Sequence, residues 1–316
     1  MKDNHEMDSK PVIIIHDKPV DALEPHEGEA PVITIETAEE DAAEKPRKPK
    51  GWLRALFQVF VALVAVVALY AGWRAYCYYY AFGVPVSTSP SENIKKLERV
   101  RPVAKGASGV VVSSDSILGV AMNFYQLKNL QAEISLTEPD SADASVVMYS
   151  RSADHTKTKR YLGSMIIKGK ELQTDRGRLG YCAMANGNIV IGVARSEKVK
   201  DYCVEHGGSF FRQFVLVSDG VLPASFQLHG KVERRAIGRM ADDKLYYIET
   251  RHKETMWDFA DALREYGFVD AIYITGGSCY SWYRTPDGTR HTIGNPAQHH
   301  HKEYTGIVPW IVFRKK

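Results

Sequence analysis

Thr255 to Ser278 reads TMWDFADALREYGFVDAIYITGGS. The Thr255 hydroxyl can cap a helix, and Asp258 stands three residues on, the acidic form of a capping box. Met256, Phe259, Ala260, Leu263 and Tyr266 follow at helical spacing. Gly267 supplies a left-handed stop. Phe268 to Ile274 alternates as a strand and runs into Thr275-Gly276-Gly277-Ser278. With a strand over Lys244 to Glu249 ahead of it, the order is strand, helix, strand, Gly-rich loop. Such a unit puts the loop at the carboxyl end of a strand, where α/β folds hold ligands. A tight turn needing positive φ explains the same glycines.

Working outward, the chain is rich in short β-branched runs. Val110 to Val112, Val146 to Tyr149, Met165 to Ile167, Asn188 to Val193 and Phe214 to Val217 read as strands. Lys168-Gly169, Asn186-Gly187 and Asp219-Gly220 read as the turns between them. Ser116 to Leu130 is predicted as a helix, with Ile117, Val120, Phe124 and Leu127 on one face. A second short helix is predicted over Glu197 to Glu205, closed by Gly207-Gly208. Together these give an α+β fold with a mixed sheet.

Upstream, Ala55 to Gly72 is ALFQVFVALVAVVALYAG, eighteen positions without a charge. With Trp52, Leu53 and Trp73 it is long enough to cross a ~30 Å hydrocarbon core. Lys45, Arg47, Lys48, Lys50 and Arg54 precede it, and only Arg74 follows closely. That asymmetry predicts an uncleaved signal anchor with the N-terminus cytoplasmic and the C-terminal domain periplasmic, in a bacterial inner membrane. The net charge of +3 conceals a tail, residues 1–44, with thirteen acidic and three basic side chains. Such a tail reads as disordered, with Pro11 to Ile15 and Pro31 to Ile35 as two candidate docking strands for a cytoplasmic partner. The basic KPRKPK stretch, Lys45 to Lys50, suits anionic lipid headgroups. The expected organisation is a tail over 1–50, an anchor over 51–82, a Pro/Ser linker over 83–107 and a domain over 108–316.

Four cysteines, Cys77, Cys182, Cys203 and Cys279, include no C-x-x-C pair, so a structural zinc site is not indicated. His299-His300-His301 sits in a polar context that suits an exposed loop. Ser278 lacks the second glycine of a nucleophile elbow. Asp154-His155 could form an acid–base pair or belong to a polar loop. Tyr280 and Trp282 alternate onto one face, where they either stack on a sugar or pack in a core. No P-loop, dinucleotide fingerprint or nucleic-acid module is present, which argues against those partners.

Arg234-Arg235-Ala236-Ile237-Gly238, the helix ending at Gly267, and Val269-Asp270-Ala271-Ile272-Tyr273-Ile274-Thr275-Gly276-Gly277-Ser278 resemble the C-terminal half of the phosphodiester glycosidase family. That family typically shows R-T-A-I-G and D-A-L-N-L-D-G-G-G-S. The resemblance extends over about residues 108 to 314 and implies a mixed α and β fold. It also implies a site that acts on or binds sugar–phosphate linkages, here in envelope glycans. Arg212, Arg234, Arg235, the amides of Gly276 and Gly277, and Ser278 would clamp the phosphate, with Tyr280 and Trp282 against the sugar. No cofactor is implied, although a divalent metal is compatible. Two departures stand out. Thr275 occupies the place of the family's loop Asp, and Arg235 the place of its Thr. Position 275 therefore lacks an acid–base group, and Asp154 or Asp270 are the substitutes in reach of the motif. A catalytically inactive carbohydrate-binding or scaffolding domain on the same fold is the alternative reading.

Overall fold

The structure is a computed structural model that describes residues 50–79, 88–100, 106–153, 160–175, 178–226, 228–277, 279–294 and 308–315. The chain divides into two compact units, Met1–Gln58 and Val59–Lys316. In the first, the described residues belong to the start of helix α1 (Lys50–Tyr79). The 26 residues Gly51–Tyr76 are long and apolar enough to cross a membrane, and none of the apolar stretch is buried. At 1.5 Å per residue they extend roughly 39 Å.

Within the second unit three antiparallel sheets are built, with strands numbered in chain order. The first runs β1 (Gly109–Ile117), β2 (Val120–Lys128), β12 (Leu245–Thr250), β11 (Arg234–Met240), β13 (Phe268–Gly276), β10 (Val215–Ser218). The second runs β15 (Arg290–Ile293), β14 (Ser281–Arg284), β4 (Val146–Arg151), β16 (Trp310–Lys315), β3 (Leu130–Ser135). The third runs β6 (Lys170–Gln173), β5 (Met165–Ile167), β9 (Ser209–Gln213), β7 (Gly180–Ala185), β8 (Asn188–Val193). A central core draws Ile237, Ile272 and Ile274 from the first sheet, Ile134 and Phe313 from the second, and Met165 and Phe211 from the third.

Helix α4 (Met256–Tyr266) begins and ends where its sequence dictates. Thr255 Oγ1 accepts from the Asp258 N–H at 3.0 Å, and Gly267 takes φ +107. Met256, Phe259, Ala260 and Leu263 are buried against Phe124, Ala236 and Tyr273 on one face of the first sheet. Each of the larger side chains contributes about 1.5–3 kcal/mol of burial. Strands β12 and β13 run parallel to each other because both pair antiparallel with β11 between them. Helix α4 is the crossover that joins them, and the Gly loop leaves the carboxyl end of β13.

Two expectations are corrected. Ser116 to Leu130 is not a helix: β1 turns at Leu118 (φ 52) and Gly119 (φ 82) into β2. Val120, Met122 and Phe124 face α4, whereas Tyr125 and Leu127 face the central core. Both faces are used, so a period of two competes with the helical spacing. The second concerns residues 88–98, expected as linker. Ser89 caps helix α2 (Pro90–Glu98), with Pro90 in its first turn. The helix docks on the third sheet through Leu97 and Ile94. Thr88 N–H donates to the Val193 carbonyl at 2.8 Å, and Asn93 Nδ2 to Tyr181 Oη at 2.7 Å. Helix α3 (Lys198–Glu205) covers the same sheet and ends at Gly207, φ +66.

Candidate functional site

Alternation along β11 separates its two arginines. Ala236 packs toward α4 and Ile237 toward the central core, so Arg234 lies on the first side and Arg235 on the second. Arg234 is the cross-strand partner of Gly276. Its guanidinium, however, donates to the carbonyls of Glu254 (3.0 Å) and Gly230 (2.8 Å) and lies 5.8 Å from the centre of the Tyr273 ring. A side chain so engaged braces the strand entry rather than reaching for a ligand.

Arg235 is the centre of the site. Only 2% exposed, it donates from Nη1 to the Gly277 carbonyl at 2.6 Å. Nη2 lies 3.4 Å from the Glu233 carboxylate and Nε 3.6 Å from that of Glu249. Burial works against its charge, but the carboxylates of Glu249 and Glu233 favour it and the guanidinium stays protonated. The Gly277 N–H in turn donates to the Glu233 carbonyl at 2.9 Å, so both backbone polar groups of Gly277 are held. Gly277 adopts φ +69, and a Cβ at Gly276 would collide with the Tyr273 hydroxyl. Glycine is needed at both positions.

Around this arginine the polar groups form two branches. Glu249 accepts from Tyr125 Oη at 2.8 Å and Asn123 Nδ2 at 3.2 Å, and Asn123 accepts from Ser114 at 2.8 Å. Tyr247 shares a hydrogen bond with Ser150 at 3.1 Å, and Ser281 donates to Ser150 at 3.1 Å. Burial pushes up the phenols of both Tyr125 and Tyr247. Glu249 adds to the shift at Tyr125, while Arg235 opposes it at Tyr247. Both tyrosines are therefore neutral hydrogen-bonding groups across the physiological range. Glu249 is held inside the protein. The Glu233 side chain, 41% exposed, is a carboxylate beside the loop that solvent can reach.

The remaining predicted residues fall as follows. Thr275 is buried at the end of β13, next to Gly276. Asp270 is five residues before Thr275 on that strand, about 17 Å away by strand rise. It accepts from the Asp219 N–H at 3.2 Å and pairs with Arg239. Arg212 belongs to the third sheet. It donates to the carbonyls of Arg178 (3.0 Å), Leu179 (3.2 Å) and Ala194 (2.8 Å) and pairs with Glu197 at 2.8 Å. Tyr280 and Trp282 do share a side, the outer face of the second sheet, where both pack on Tyr149. Trp282 is 1% exposed and sits within 5.8 Å of two guanidinium groups, Arg284 and Arg290. Its ring is committed to packing. Ser278, Asp154, His155 and His299 to His301 lie outside the described residues. Cys182, Cys203 and Cys279 are buried free thiols. Among the described residues no His, Cys, Asp and Glu group has the grouping of a metal site.

Sequence reasoning did not select Glu233, Glu249, Tyr247, Ser150 or Ser281. Glu233 stood directly before the Arg234-Arg235 pair, which is a usable signal. Glu249 meets Arg235 through the register of β11 and β12, and Ser150 and Ser281 reach Tyr247 from the second sheet, which no local pattern carries.

The family model for phosphodiester glycosidases matches residues 143–305. No curated protein matches the chain. Among solved structures, the zebrafish N-acetylglucosamine-1-phosphodiester alpha-N-acetylglucosaminidase catalytic domain, auto-inhibited by its pro-peptide, is 13% identical with a TM-score of 0.47, covering 70% of this chain and 86% of that one. A hypothetical protein from Synechocystis is 10% identical with a TM-score of 0.43, covering 66% and 62%. The matched segment is just over half of the sequence and holds β4, Arg235 and the Gly loop together. The chain belongs to the phosphodiester glycosidase family.

Proposed function

We propose that this protein is a membrane-anchored phosphodiester glycosidase whose C-terminal domain, outside the bacterial inner membrane, acts on sugar–phosphate diesters of envelope glycans. The observation that carries the reading is Arg235, buried between Glu249 and Glu233 and bonded to the Gly277 carbonyl. Glu249 is fixed by Tyr125 and Asn123 and balances the guanidinium from inside. Glu233 is left beside the loop as the reachable carboxyl, in the role that Thr275 cannot fill. A carboxyl at this position stands where proton transfer to or from a phosphodiester at the loop would take place. Arg235 fixes the loop from behind by donating to the Gly277 carbonyl.

Thr275 favours a second reading, a carbohydrate-binding domain without turnover. The full chain in detergent, assayed for sugar release from an N-acetylglucosamine phosphodiester with and without divalent metal, separates the two. Turnover above background supports the glycosidase. Calorimetric binding without turnover supports the binding domain, and neither binding nor turnover removes both.

A further inference from the structure

On a different part of the domain, a cavity of about 340 Å³ opens between α2, β8 and the β11–β12 turn. That volume is at the small end of ligand sites. Three cations line it: Lys96 and Arg99 from α2 and the segment after it, and Arg239 from β11. Asp243, also in the lining, pairs with Arg239 at 2.8 Å. Lys96 and Arg99 are exposed and have no ion-pair partner among the described residues, so two positive charges at the rim are unbalanced. Between them the lining mixes the apolar side chains of Val100, Ile191 and Leu245 with the amides of Asn93 and Asn188. Unpaired cations beside a lining part polar and part apolar match a ligand with a phosphate and other polar headgroup atoms next to hydrocarbon.

The chain also limits where this cavity can be. Residues 80–89 join α1 to α2, so α2 begins within ~40 Å of the end of the apolar helix. With α1 in a bilayer, the cavity is tethered near its surface. We infer that the cavity formed by Lys96, Arg99 and Val100 binds the phosphate-bearing headgroup of an anionic phospholipid. The phosphate would lie between Lys96 and Arg99 and the first carbons of the lipid against Val100 and Leu245. This is independent of the sugar–phosphate reading of the Gly loop.

Native mass spectrometry of the full chain in a neutral detergent tests it, with short-chain phosphatidylglycerol as the probe. Phosphatidylcholine and inorganic phosphate are the comparison arms. The wild type should bind phosphatidylglycerol and discriminate against phosphatidylcholine. K96Q/R99Q should weaken phosphatidylglycerol by roughly 30-fold, from about 1 kcal/mol per basic residue. K95Q, on the same helix but outside the cavity, should bind as the wild type does. Glutamine at Lys45, Arg47, Lys48 and Lys50 removes the separate basic flank, and in that background K96Q/R99Q should still weaken phosphatidylglycerol by roughly 30-fold. If inorganic phosphate displaces the lipid at equal concentration and depends on the same two residues, the site stands with a soluble phosphate as its source. Binding unaffected by K96Q/R99Q, or no preference for the anionic lipid, overturns the inference.

Discussion

Arg235 shows how one side chain can organise a site without touching a ligand. Its charge is buried, so its removal leaves Glu249 inside the protein with no cation. Arg235→Ala should cost about 3–5 kcal/mol, measured by urea unfolding. Arg235→Lys should recover only part of this, because an ammonium cannot reproduce the forked contacts to Gly277, Glu233 and Glu249. A second residue-scale prediction concerns Asp143. Hydrogen bonds from the Ser145 hydroxyl and from Arg314 lower its carboxyl from 3.8 to about 2. A depressed carboxyl contributes stability that is present above the unfolded value and lost as pH falls through the folded one. Melting temperature should therefore fall between about pH 4 and pH 2, and D143N should flatten that limb. A limb unchanged in D143N would assign the acid loss to other groups. At this scale the sequence was legible where a single residue type answers a single geometry. Gly267 and Gly277 were readable because each takes a positive φ. Glu233 was not selected, because its partner Arg235 and the Gly277 carbonyl meet only after β11 and β13 pair.

Local elements were legible to the extent that their signals were local. Thr255, Asp258 and Gly267 fixed both ends of α4 within a residue. Loss of the cap in Thr255→Ala should lower stability by about 1 kcal/mol, with the calorimetric melt as the readout. The same holds for the turns Lys168-Gly169, Asn186-Gly187 and Asp219-Gly220, all of which have two successive positive φ angles. The β1–β2 hairpin was misread because Leu118, not Asn or Gly, opens its turn. Leu118 is exposed and held at φ 52, a conformation that costs a branched side chain about 1–2 kcal/mol. Leu118→Asn should thus stabilise the domain by roughly 0.5–1 kcal/mol. A destabilised variant would mean that the leucine side chain contributes contacts that outweigh its backbone strain. Helix α2 was hidden for a similar reason. Its polar residues resemble a linker, and only Ile94 and Leu97 mark the face it buries.

At the scale of the whole molecule, the family match and the three sheets account for the fold, while the site depends on contacts between distant segments. Ser150, Tyr247 and Ser281 come from three strands, and no pattern in a single window connects them. The apolar helix adds a question of orientation. The five basic residues before it and the single one close behind predict that a periplasm-active reporter fused after Lys316 is functional and a cytoplasmic one silent. The opposite pair of results would invert the topology. The central claim is that Glu233 supplies the proton chemistry missing at Thr275. It is tested most directly by the ratio of kcat/KM for an N-acetylglucosamine phosphodiester between wild type and Glu233→Gln, with both confirmed to unfold at the same temperature. A loss of 10²–10⁴-fold is expected; equal values in the two proteins would remove the role assigned to Glu233.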